Sequence, residues 1–472
     1  MLPFTSVVPI HRRADRQTTP RDRAARLPLS DSRAHFALAS HRVVMAATNA
    51  SATRGLVTTA RHTTRHRHHN HHHHRARGAS GRAPRASTDA SAAPSSSPSS
   101  SPGAVFETGS TDRDAFDASR VSSPVVKAFR GDEATRWLMW YTATSSRGED
   151  SIGLATSSDG LHWTRSDGDT ETYRNDVESK GTDVGRVLTR NDEDWWCFDT
   201  RGVVVGDVQL ISSDSISGGS VYWMFYHGYD HSSGSESAND DDEWTATTRP
   251  GLCLSQDGRN WARVEGEHHT GALFDVGEPN EWDASGVRDP KVLLAGPNDI
   301  RVYYGSVDAE TGRSSVGVAT TRDGFVYAKR GARGVFGPGP SGSFDDAGVA
   351  SPCVVRLGKK EFIMFYEAYS SANPGVASIA LATSEDGFVW TRPNAPVLTA
   401  GEPGSWDQGG VGRPYAVPMA GDRVRLYYEG RARAGDARGV GVGVAVSAEH
   451  DRFAFVRRRA RVTDDKNEEK DE

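Results

Sequence analysis

The stretch "WDASGVRDPKV", Trp282 to Val292, sets an aromatic-Asp pair before a valine, and a proline three residues after it. The pattern recurs as "FDASRVSSPVV" from Phe116, "FDTRGVVVGDV" from Phe198, "FDDAGVASPCV" from Phe344 and "WDQGGVGRPYA" from Trp406. The five aspartates, Asp117, Asp199, Asp283, Asp345 and Asp407, are 82, 84, 62 and 62 residues apart. A period of this length marks a repeat architecture.

Each copy continues in the same way. A second apolar run ends in paired aromatics, "LMWYTA", "WMFYHG", "RVYYGS", "IMFYEA" or "RLYYEG". A third run alternates small and branched residues, as in "SIGLATS" and "SVGVATT", with the period of two that a strand requires. Asp-Gly follows at Asp159, Asp257, Asp323 and Asp386, a dipeptide suited to the positive φ of a tight hairpin. Three residues beyond the glycine stand Trp163, Trp261, Tyr327 and Trp390, large enough to fill space between packed sheets. Four short strands repeated five times, without helical periodicity, predict an all-β fold: a five-bladed β-propeller with four antiparallel strands per blade. The fifth copy replaces Asp-Gly with "SAEHDRFAF", an irregularity expected of a terminal repeat. The extra length of the first two copies, about residues 166–194 and 231–248, predicts long polar loops.

The first hundred residues are another kind of polypeptide, with 16 Arg, no Lys, no Glu and four Asp, in a chain whose net charge is −6. This Arg-rich, Ser-rich and acid-poor segment reads as an organellar transit peptide, plastid before mitochondrion, and a cleaved segment of that kind accounts for its basic charge without a nucleic-acid partner. Within it "HRHHNHHHHRAR" and "SAAPSSSPSSSPG" read as solvated low-complexity linker, not as a metal site. Residues 1–104 are therefore set apart from a propeller at 105–461 and an acidic tail at 462–472. No run of some 18 apolar residues is present to span a membrane. Cys197, Cys253 and Cys353 are odd in number and widely spaced, so neither a disulfide framework nor a zinc site is expected.

The first strand of a blade lines the central channel, where a concave site is expected. Aligned on the valine, the copies place Ser123, Val205, Asp289, Ser351 and Arg413 before the Pro position. Asp289 is the one carboxylate, and a departure from an internal consensus points to function. The repeated aromatic-Asp aspartates read as structural, capping turns by accepting backbone N–H groups.

With its repeats, the "RDP" of Arg288, Asp289 and Pro290, and the recurring Ser/Thr-x-Asp-Gly hairpin, the folded region resembles the arabinanase, levansucrase and invertase superfamily of glycoside hydrolases, which includes glycoside hydrolase families 32, 43 and 68. The resemblance implies three channel acids: a nucleophile or base on the first blade, a sugar-orienting Asp on a later one, and a Glu acid. Asp289 matches the second, with Arg288 beside it to hold sugar hydroxyls. Ser123 and Ser351 stand where the other two are implied.

The second strands offer replacements. Glu367 in "FYEAY" and Glu429 in "YYEGR" follow the paired aromatics and are candidate general acids or bases beside Asp289. His227 holds the same repeat position, and Asp207 lies two past the aligned site in the second copy. Arg288, Arg413, Asp207, His227, Ser123 and Ser351 are the candidate substrate-binding set. The expectation is a glycoside hydrolase acting on an oligosaccharide or polysaccharide, without metal or organic cofactor. Two alternatives stand beside it. One is a glycoside phosphorylase, resembling the mannoside phosphorylases of the same superfamily, with Arg288 and Arg413, joined by Arg120 and Arg201, binding phosphate. The other is a glycan-binding or scaffold propeller that has lost two acids.

Overall fold

In the computed structural model the described residues are 103–108, 114–130, 135–165, 184–212, 220–230, 246–421, 423–436, 439–449 and 451–458. They contain strands and turns and no helix, so the all-β expectation holds. The pairing runs as successive antiparallel meanders; four of them carry an outer fourth strand, Thr164–Arg165, Ala262–Val264, Ala328–Arg330 and Asp451–Arg458, while in the other the described residues offer only a bridge between Thr383 and Thr391. Strand Arg120–Arg130 pairs with Thr135–Thr144, which pairs with Asp150–Ser157. Gly202–Ser212, Ser220–Tyr229 and Thr248–Ser255 repeat this arrangement. So do Arg288–Gly296, Asp299–Val307 and Ser314–Thr321, and then Gly348–Gly358, Glu361–Tyr369 and Ser378–Ser384. Gly410–Pro418, Val424–Arg431 and Gly441–Ala448 follow. The second strand of each meander is buried almost end to end, Trp137 to Thr144 for example, because meanders pack against both its faces. That is why these strands read as continuous apolar runs and not as alternation.

The repeated aspartates are structural, but by another route than turn capping. Each lends its Oδ2 to the second aromatic of its own meander and to a cation on or beside the outer strand. The tyrosines are Tyr141, Tyr226, Tyr304, Tyr366 and Tyr428, with O–H···O distances between 2.8 and 3.2 Å. The cations are Arg165, Arg263, Lys329, Arg392 and Arg457. Burial, and then the neighbouring aspartate, push the phenols of Tyr141 and Tyr226 well above their ordinary range, so they stay protonated donors.

The Asp-Gly hairpins form as the dipeptide predicts, with φ of +74°, +75°, +86° and +76° at Gly160, Gly258, Gly324 and Gly387. They also join neighbours. Trp140 Nε1 donates to the Gly258 carbonyl at 2.9 Å, and Tyr303 OH donates to that of Gly387 at 2.8 Å. Tyr427 OH donates to the Gly160 carbonyl at 2.9 Å, which brings the last meander onto the first. At the fifth copy, where Asp-Gly is missing, Phe455 packs edge-on against Phe365 of the preceding meander, with centroids 5.6 Å apart. A strand the sequence reading did not anticipate, Ala104–Glu107, pairs with Gly441–Ala448. It ties the start of the described chain to its end. Part of the first long insertion is likewise not loop: Arg186–Leu188 pairs with the strand Asp150–Ser157. Residues 166–183 and 231–245 of the two insertions, the basic N-terminal segment with its His tract, and the acidic tail lie outside the described residues.

Candidate active site at the channel mouth

The aligned position proves to be a backbone anomaly. Ser123, Asp289, Ser351 and Arg413 have φ of +49°, +48°, +46° and +42°. Each precedes a proline and sits in a bulge where the pairing between first and second strands is interrupted. Left-handed φ is costly for a side-chain-bearing residue, and before proline the extended region is the normal choice. Among the described residues the other non-glycine positive φ values belong to Asn280 and Asn298, where the left-handed region is tolerated. The strain is therefore concentrated in one ring. Val205 completes it on the second meander, where Gly206 replaces proline.

The bulge turns the four side chains toward one another. Ser351 Oγ donates to Asp289 Oδ2 at 2.8 Å, and Arg413 Nη1 donates to Ser123 Oγ at 2.8 Å. Arg413 Nε lies 3.8 Å from Asp289 Oδ1 and 3.9 Å from Glu429 Oε2. Asp289 and Arg413 come from meanders that are not neighbours, so they meet across the axis. Both carboxylates approach the same guanidinium nitrogen. Asp289 is 7% exposed and Glu429 is fully buried.

The second-strand position has a regular task that the sequence reading missed. In three meanders its side chain accepts the backbone N–H of the bulged residue next door. Thr142 Oγ1 takes that of Val205 at 3.1 Å, His227 Nδ1 that of Asp289 at 3.1 Å, and Glu367 Oε2 that of Arg413 at 3.2 Å. Glu367 is further engaged, since its Oε1 accepts from Tyr369 OH and pairs with Arg431 Nη2 at 2.6 Å. Arg431 also binds Glu429 Oε1 at 2.9 Å. Burial works against the Arg431 charge, but Glu367, Tyr369 and Glu429 outweigh it and hold the guanidinium firmly protonated. Glu429 Oε2 is buried and accepts no hydrogen bond from the described residues. Arg431 and Tyr369 each lie two residues past a glutamate on the same strand, and that period-two spacing was the available signal.

No protein-family model and no curated protein matches the sequence. Solved structures do match the fold. A "Glycoside hydrolase" and a BT0996 RGII complex each align over 75% of this chain and 93% of their own, with 18% identity and a TM-score of 0.51. A glycosyl hydrolase from Bacteroides ovatus aligns over 70% of this chain and 85% of its own, with 17% identity and a TM-score of 0.47. The chain has the fold of the propeller glycoside hydrolases.

In this propeller the remaining predicted site residues stand apart from the Asp289–Arg413 ring. Arg288 points toward the second meander, where Nε donates to Thr248 Oγ1 at 3.3 Å and Nη2 to the Ala246 carbonyl at 3.4 Å. Asp207 belongs to a deeper layer of the channel. Its carboxylate accepts from Tyr415 OH at 2.8 Å and from the N–H groups of Val208 and Val292 at 2.8 and 2.9 Å. Lys291 Nζ beside it donates to the Gly206 carbonyl. No cluster of His, Cys, Asp and Glu able to hold a metal occurs among the described residues. No helix there is long and apolar enough to cross a membrane.

Proposed function

We propose that this chain is a carbohydrate-active enzyme of the glycoside hydrolase type, with five blades around a channel whose mouth holds the sugar. The observation that carries the reading is the pair Asp289 and Glu429, both within 4 Å of Arg413 Nε, beside a ring of strained backbone. Strain of this kind persists where the surroundings over-determine it, and it clusters at active sites. Glycoside cleavage needs one carboxyl to protonate the leaving oxygen and a second to attack or to activate water. Asp289, the more exposed, reaches the sugar. Glu429 is the second carboxylate, and Glu367 is a positioning residue that fixes the Arg413 backbone. Ser123 and Ser351 favour a second reading, a propeller that binds glycans without cleaving them, because they occupy two implied acid positions and hydrogen-bond to Arg413 and Asp289 instead.

The test is sugar release by the full chain from a panel of oligosaccharides, with and without phosphate. Release in phosphate-free buffer supports hydrolysis, whereas release only with phosphate assigns phosphorolysis. Binding without release under either condition overturns the enzyme reading in favour of the binding propeller. We further propose delivery to a plastid by residues 1–104, on their Arg- and Ser-rich composition. A fluorescent fusion of that segment that stays in the cytosol would contradict it.

A further inference from the structure

The first strands run on past the mouth, and four residues beyond Ser123 the strand reaches Lys127, roughly 13 Å deeper at ~3.3 Å per residue. There, between the last meander and the first, lies a cavity of about 510 Å³. Its walls include Lys127, Tyr415, Thr135, Ser158, Trp137 and Met419. We propose that this cavity is a second ligand site, for a small organic anion with an apolar body and a carboxylate, sulfonate or phosphate head. The inference stands independently of the carbohydrate reading.

Two ammonium groups bracket the Tyr415 ring, Lys127 at 5.5 Å and Lys291 at 5.4 Å from its centroid. Asp207 acts on both, lying 3.7 Å from Lys127 Nζ and raising the Lys291 pKa against the effect of burial. Asp207 is already committed to Tyr415 OH and to two backbone N–H groups. Lys291 is enclosed, and burial, offset in part by Asp207 and Asp289, lowers its pKa. Lys127 differs: its side chain is 25% exposed and lines the cavity. An anionic head there would meet the Lys127 ammonium from the cavity side in a charge-assisted contact. Thr135 and Ser158 offer hydroxyl donors, while Trp137 and Met419 provide the apolar wall.

The experiment uses the full chain and the fluorescent anion 8-anilinonaphthalene-1-sulfonate, with benzoate and inorganic phosphate as competitors. The proposal predicts saturable binding to the folded protein, weakened about tenfold by Lys127→Met and retained by Lys127→Arg. Displacement by benzoate but not by phosphate would show that the apolar body is required, and displacement by both would show that the head suffices. Either pattern supports the site. Absence of saturable binding to the parent overturns it, as does unchanged affinity in Lys127→Met with an unaltered melting curve.

Discussion

Asp199 Oδ2 lies 2.7 Å from Arg263 Nε, and this one contact fastens the entry to a first strand onto the outer strand of the same meander. Tyr226 OH meets the same oxygen at 2.9 Å, and the arrangement recurs in every meander with Asp117, Asp283, Asp345 and Asp407. Asp199 is fully buried, so removing its charge strands a guanidinium and a phenol together. Asp199→Asn is expected to cost about 3 kcal/mol. Arg263→Met should cost less, because the Arg263 side chain is 31% exposed. In a denaturant titration the double variant should be more stable than the sum of the single losses implies.

Gly206 is expected to be irreplaceable for a reason of space. A Cβ there would run into the carbonyl and ring of Pro290, the residue after Asp289. Gly206→Ala should destabilise by about 1–3 kcal/mol and shift Asp289 in the ring. Gly296 is the control, since a Cβ there meets nothing within 4 Å. Thermal melts should separate the two variants clearly, and equal melts would disprove the close approach.

The three cysteines are buried and free. Burial pushes the Cys253 thiol up to about 12 and the Cys353 thiol to about 11, and raises Cys197 as well. At pH 8 all three are thiols and not thiolates, so they are poor nucleophiles. Reaction with a disulfide reagent should be slow in the folded protein and rapid for all three in denaturant.

The ring of Ser123, Asp289, Ser351 and Arg413 was legible in the sequence because a repeat carries its own alignment, and the shared Pro marks one register in four of the five copies. The hairpins were legible because Asp-Gly encodes their φ locally. The partners of Glu367 were not, because they depend on which meander stands next in space. The N–H it accepts belongs to Arg413, and the guanidinium it pairs with belongs to Arg431. Asp207 looked like a mouth residue, yet two steps along a strand carry a side chain on the same face to the next layer, where Tyr415 meets it. The strand Ala104–Glu107 is four residues long and finds its partner at the other end of the chain, beyond any local pattern.

In the proposed enzyme Asp289 and Glu429 work as a pair around Arg413. Sugar release by the parent, by Asp289→Asn and by Glu429→Gln, on whichever oligosaccharide the parent cleaves, tests it most directly. Each variant should lose at least about a hundredfold in rate while keeping the parent's circular dichroism and melting profile. Full release by either folded variant would contradict it.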